Sequence, residues 1–203
     1  MGTKGERTRA EIIRRSAELM NRQGFLAAPM AAVVQATGIQ KGGLYRHFES
    51  REALAYAAFD HAVAQVRERF MLALQGRRNA CDQLLAMLNA YADDGSEVPL
   101  AGGCPIMNTA IEADHAHPGL RQRAQAAMNG WHGLVRRIVE AGIRAGEIRS
   151  SVDPHEVASI VIACIEGAVM LSHLHGDNVH VAAARNHLTR FIDRELRSHR
   201  GEP

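Results

Sequence analysis

Apolar positions return every three or four residues along almost the whole chain, and nowhere does a strand-like alternation last six positions. The expected fold class is therefore all-α. A first helix is predicted over about Thr8 to Gln23, with Ile12, Ile13, Ala17 and Met20 as its apolar stripe and Gly24 as its stop. A short helix enters through Pro29 and covers about Met30 to Thr37, where Gly38 breaks it. A third, very short helix follows over about Lys41 to Phe48. Ser50 is placed to cap a long fourth helix, about Arg51 to Leu74, with Glu52 in its first turn. A fifth is expected over about Ala80 to Ala92, then a loop from Asp93 to Gly103. The sixth covers about Pro105 to Asp114, and Pro118 opens a long seventh that reaches about Ala145. The run Asp153, Pro154, His155, Glu156 is a strong start signal for an eighth helix, lasting to about His175. A ninth is expected from about Val179 to Arg197.

The eighth helix departs from the simple amphipathic pattern. Val157 to Leu174, "VASIVIACIEGAVMLSHL", is apolar nearly all round, so it must be covered on more than one side. Glu166 near its middle and the lack of flanking aromatic or basic anchors argue against a membrane span. The polar, charged N-terminus is neither a secretory signal nor an anchor. Small residues at Ala163, Gly167 and Ala168 permit close helix approach. Together with Leu188, Phe191, Ile192 and Leu196 of the ninth helix they predict a four-helix interface in a homodimer, although the core helix of a monomer carries the same pattern.

Charge changes the picture at the N-terminus. Residues 1–52 hold nine Lys+Arg against five Asp+Glu, whereas residues 53–203 hold fifteen against seventeen. A basic head on a mildly acidic body points to a polyanion for the head alone. The three cysteines, Cys81, Cys104 and Cys164, are far apart and form no C-x-x-C pair, which fits free thiols in a reducing compartment, the cytoplasm. No nucleophile motif, phosphate-binding glycine loop or pair of catalytic carboxylates is present in the sequence, so no enzyme, cofactor or resident metal is expected.

The segment Met30 to Phe48, "MAAVVQATGIQKGGLYRHF", is helix, glycine turn, helix. Val33, Ile39, Leu44 and Phe48 are spaced to pin the two helices together. A helix-turn-helix places its second helix in the major groove of double-stranded DNA, so that helix needs a polar outer face. Gln40, Lys41, Tyr45 and Arg46 are candidates for base edges. Lys41, Tyr45, His47 and Arg51 are candidates for phosphate oxygens, and Gly42 and Gly43 let the backbone approach closely. Lys4 and Arg7, with Arg9, could add contacts from an N-terminal arm.

Gly24–Phe25, the "ATGI" around Gly38, and "KGGLYRHFESREAL" from Lys41 to Leu54 resemble the DNA-binding domain of the tetracycline-repressor family of bacterial transcriptional regulators. That resemblance implies a nine-helix architecture, with a three-helix head over residues 1–52 and a ligand-binding, dimerising body over residues 53–203. It also implies a palindromic operator, a homodimer and a small-molecule effector that lowers operator affinity. The chain departs from the family where Ala28–Pro29 replaces the usual Thr or Ser at the second helix, Val34 an alanine, Gly43 a small hydroxyl residue, and Gln40 the usual cap of the third helix.

Candidate ligand contacts in the body are the large, adaptable Met87, Tyr91, Met107, Met128, Trp131 and Met170, with Cys104, Asn108, Glu112, His132 and His173 as polar or soft groups on apolar faces. "GGCPIMNTAIEADHAHPGLR" resembles the start of the sixth helix in one subgroup of the same family. An alternative is a redox or metal switch on the same fold, sensing through Cys104 or through His115 and His117.

Overall fold

A computed structural model describes residues 3–91, 102–113 and 117–198. Most of the expected loop 93–103, the side chain of Tyr91, and His115 lie outside the described residues. The described residues form α1 (Lys4–Gln23), α2 (Met30–Thr37), α3 (Lys41–Leu44), α4 (Arg51–Leu74), α5 (Ala80–Tyr91), α6 (Pro105–Ala113), α7 (Pro118–Arg144), α8 (Pro154–His175) and α9 (Val179–Phe191), followed by a π-helical turn, Ile192–Leu196. The fold is all-α, as the periodicity predicts.

Local chemistry explains where elements begin and end. α1 starts four residues before Thr8 because Thr3 and Glu6 make a capping box. The Glu6 N–H donates to Thr3 Oγ1 at 3.2 Å, and the Thr3 N–H to Glu6 Oε2 at 2.6 Å. Gly38 ends α2 in the left-handed region at φ 71°, its N–H donating to the Val34 carbonyl. α3 is shorter than expected because the N–H groups of Arg46 and His47 donate to Gly43 and Leu44, three residues back. Asp153 accepts from the His155 N–H at 2.8 Å to start α8. The ninth helix loses α geometry after Phe191. The Arg197 N–H reaches back five residues to the Ile192 carbonyl, and Ile148 and Arg197 form an isolated antiparallel bridge.

The chain divides into two compact units. One is Met1–Val66 with Pro99–Ala127, and the other is Arg67–Val98 with Met128–Pro203. α4 and α7 each run from one unit into the other. In the first unit Ile12, Met20, Phe25, Val33, Leu44, Phe48, Leu54 and Phe59 are buried, with Phe25 and Phe59 edge to face at 5.5 Å. In the second, Phe70 and Trp131 stack at 5.4 Å, and Val135, Val139, Val161, Ile165, Leu188, Ile192 and Leu196 are buried. Gly142 of α7 sits where a Cβ would come within 2.6 Å of Ala80 Cβ and 2.7 Å of Ile148 Cδ1.

α8 is long and apolar enough to cross a membrane by length and composition, and half of that apolar window is buried within the chain. Among the remaining positions Ile160, Ala163, Gly167, Met170 and Leu174 recur at three- and four-residue spacing as an outward stripe, with Leu174 75% exposed. Leu188 and Ile192, expected at a dimer interface, are instead consumed by the chain's own core at 1% and 0% exposure. They face inward because they continue the stripe with which α9 packs on α8. Phe191 is half-buried.

Candidate functional site

The head presents one polar edge on a pinned scaffold. Leu44 and Phe48 are buried, and helical geometry then turns Gln40, Lys41, Gly42, Tyr45 and Arg46 to the outside, where all five are exposed. Lys4, Arg7 and Arg9 are exposed along α1, and the Arg9 guanidinium lies 4.9 Å over the Phe48 ring. Gln40 makes no side-chain capping bond at α3, and neither does Pro29 at α2.

Two expected DNA contacts have a different setting. A Cβ on Gly43 would lie 2.7 Å from Ile39 Cγ2, so this glycine serves close packing inside the head, whereas Gly42 faces open space. Arg51 is half-buried, and its Nη2 donates to the carbonyls of Leu26 and, at 2.7 Å, Ala28. His47 is also half-buried.

Arg51 is one jaw of a clamp on the turn between α1 and α2. The other is Glu112 of α6. The N–H groups of Phe25, Leu26 and Ala27 all donate to its carboxylate, at 2.7, 2.9 and 2.9 Å. Three successive amides converging on one anion satisfy donors that a turn leaves orphaned, and a charged acceptor strengthens each bond. Gly24 makes this possible. Its φ is 96°, and a Cβ there would sit 2.4 Å from Glu112 Oε1.

The other end of α6 is latched to α1. Asn108 Nδ2 donates to the Gly102 carbonyl at 2.7 Å and to the Asn21 carbonyl and Oδ1 at 3.3 Å each, while buried Asn21 donates to the Gly103 carbonyl at 2.9 Å. A Cβ on Gly102 would strike the Asn21 carbonyl oxygen at 2.5 Å. Asn108 and Glu112, expected as ligand contacts, thus both hold α6 to the head. Asn21 gives no signal in the sequence, because a single asparagine in an arginine-rich helix carries no pattern of its own. Cys104 is 3% exposed at the start of α6, and Met107 is half-buried.

Of the remaining candidates, Met87 and Trp131 meet in one cavity. Its walls are Phe70, Leu84, Met87, Leu88, Trp131, Val135, Val161 and Ile165, around a narrow crevice with room for about one water molecule. His132 neighbours this wall on α7, its Nε2 3.2 Å from Ser159 Oγ and its ring 4.6 Å from that of His155. Met128 is half-buried. Met170 and His173 do not join the cavity, since both are exposed on the outward side of α8. His117 Nδ1 is 3.4 Å from Glu52 Oε1, and Tyr56 donates its hydroxyl to the same Glu52 oxygen. Burial raises the thiol pKa of Cys81, and that of Cys164, above the ordinary cysteine value.

Residues 12–58 match the family model "Bacterial regulatory proteins, tetR family", and residues 80–188 match "Tetracyclin repressor-like, C-terminal domain". A TetR transcriptional regulator from Chloroflexus aurantiacus J-10-FL is 42% identical, with a TM-score of 0.90 over 97% of this chain and 99% of that one. A transcriptional regulator of the same family from Cytophaga hutchinsonii is 31% identical, with a TM-score of 0.89 over 97% and 98%. The fatty acid metabolism regulator protein of Bacillus subtilis is 19% identical over 90% of this chain and 92% of its own length.

Proposed function

The chain belongs to the tetR family of DNA-binding bacterial transcriptional regulators, and from that premise we propose that it is a repressor whose hold on a palindromic operator is weakened by a small molecule bound in its C-terminal region. The observation that carries the DNA half of this reading is the exposed edge Gln40, Lys41, Tyr45 and Arg46 on a segment whose opposite side is buried through Leu44 and Phe48. In a major groove, Gln40 and Arg46 have the donors and acceptors to pair with adenine and guanine edges, while Lys41 and the Tyr45 hydroxyl reach phosphates. Lys4 and Arg7 extend the cationic surface along α1.

The partner is a second copy of the chain. The outward stripe Ile160, Ala163, Gly167, Met170 and Leu174 is the apolar face that a homodimer covers, and its small residues allow α8 to approach its mate closely. Two heads would then read half-sites about 34–36 Å apart. This is work for the cytoplasm, where the DNA is, and it requires no catalysis.

The effector site is the Trp131–Met87 cavity. Ligand acts by favouring a conformer whose heads are spaced wrongly for the operator, and it can shift that equilibrium only by its difference in affinity for the two conformers. Because α6 holds the α1–α2 turn at Glu112 and α1 at Asn108, any displacement of α6 is felt by the head directly.

The test is a gel shift with the DNA upstream of the protein's own gene. Binding that weakens with salt, and that is lost in Arg46→Ala, supports the reading. No binding at modest salt would sink it.

A further inference from the structure

We infer that Tyr56 is a positioning residue for operator binding: α7 grips it at its first turns, and the grip sets where α4 holds the reading edge of the head. The inference rests on the operator reading above and adds a residue that acts without touching DNA.

Glu52, Tyr56 and Asp60 fall four residues apart, so they form one stripe along the start of α4. Two carboxylates around a tyrosine give no apolar period, yet α7 meets every member of the stripe. His117, immediately before α7, brings Nδ1 within 3.4 Å of Glu52 Oε1. The Arg123 guanidinium lies 4.6 Å over the Tyr56 ring and also pairs with Asp60. The Tyr56 hydroxyl donates to Glu52. Gly119 completes the seat: a Cβ there would come within 2.7 Å of Tyr56 Cζ, closer than side chains approach one another, so the ring keeps its place only against glycine.

Asp60 and Glu52 are about half exposed, and a lone ion pair so placed contributes little. Here the pairs are joined through one ring, which has a cation over its face and bare backbone at its tip. What the ring holds is the start of α4. Only Glu49 and Ser50 separate buried Phe48 from that helix. Arg51, beside Glu52, carries the hydrogen bonds to the Leu26 and Ala28 carbonyls. So short a link leaves the edge Gln40, Lys41, Tyr45 and Arg46 little freedom of its own. A shift in the first turn of α4 therefore moves that edge and the α1–α2 turn together.

The test compares full-length Gly119→Ala, Tyr56→Ala, their double variant, Tyr56→Phe and Arg123→Gln, each assayed well below its own melting temperature so that only folded protein is read. Helix propensity alone favours alanine over glycine in α7 and predicts no harm from Gly119→Ala. The grip predicts that this change displaces Tyr56 and weakens binding to the DNA upstream of the protein's own gene about fivefold, by depleting the competent head conformer. Tyr56→Ala has the same effect, and the double variant is no worse than either, because both remove one contact. Tyr56→Phe keeps the ring under Arg123 and falls between wild type and Tyr56→Ala. Arg123→Gln weakens binding but keeps the wild-type salt slope, whereas loss of a phosphate contact would flatten it by about one for each head. In free protein, amide exchange across residues 41–48 quickens in Gly119→Ala and Tyr56→Ala alike. The inference is overturned by wild-type exchange there in both variants, by unaltered DNA affinity in Gly119→Ala, by additive losses in the double variant, or by a flattened slope in Arg123→Gln. A wild-type protein that ignores this DNA while its variants still show the exchange response removes the operator reading and leaves Tyr56 as the residue that positions the edge.

Discussion

Replacing Glu112 by glutamine is the sharpest probe of how the head is held. The carboxylate accepts Phe25 N–H through Oε2 and Leu26 and Ala27 N–H through Oε1. An amide keeps one oxygen and substitutes a donor for the other. Its better orientation retains the two bonds at Oε1 and turns an NH₂ group against the Phe25 N–H. One charge-assisted bond is lost and two are weakened to neutral ones. Such bonds contribute about 1.5–3 kcal/mol, and Glu112 is partly screened by water, so a loss of about 2 kcal/mol is expected. Amide hydrogen exchange reads this locally: where protection of Phe25 to Ala27 arises from local opening, these amides should exchange about thirtyfold faster. The melting temperature should fall by about 4–8 °C. Unchanged protection at these three amides, with a melting temperature within about 1 °C, would refute the clamp.

Further outcomes follow from other parts of the molecule. Gly142→Ala forces a Cβ against Ala80 and Ile148 and should cost about 1–3 kcal/mol by overpacking, read by urea denaturation. Leu174→Arg with Met170→Arg should turn the dimer into a folded monomer by sedimentation, because both side chains lie on the outward stripe of α8. Glu11 is held down to a pKa of about 2 by hydrogen bonds from Arg14 and then Arg15. Its contribution is present above its ordinary value of 4.5 and lost as pH falls through about 2. An NMR titration of the Glu11 carboxyl should show that low midpoint, moving upward with salt. With burial raising both thiols, Cys81 and Cys164 should alkylate slowly in native protein at neutral pH and rapidly in denaturant, as mass spectrometry can follow.

The all-α class and most helix bounds were legible in the sequence because period, caps and glycine stops agree there. Pro154 and Gly176 bound α8 where punctuation alone would place them. The same was true of the head's two faces, since Leu44 and Phe48 set the register for everything between them. What could not be read is partnership across distance. Arg51 looks like any exposed cation at a helix start, and only the fold shows the carbonyls of Leu26 and Ala28 beside it. Glu112 and Asn108 look like polar groups lining a pocket because sequence shows that a helix has a second face, not what lies against it. Leu188 and Ile192 read as outward for a similar reason: apolar periodicity identifies a buried stripe without saying whose atoms bury it.

The exposed edge of the head also bears on how such a regulator changes its allegiance. Gln40, Lys41, Tyr45 and Arg46 project from a backbone whose position is set by other residues: Leu44 and Phe48 beneath, Ile39 against Gly43, and the Arg51–Glu112 clamp on the neighbouring turn. If these four residues read the operator as proposed, mutation can rewrite them while leaving the hydrophobic core and the clamp intact. A duplicated gene can therefore drift to a new operator through folded intermediates at every step, and the constraint on its divergence comes from the genome's binding sites rather than from the stability of the protein.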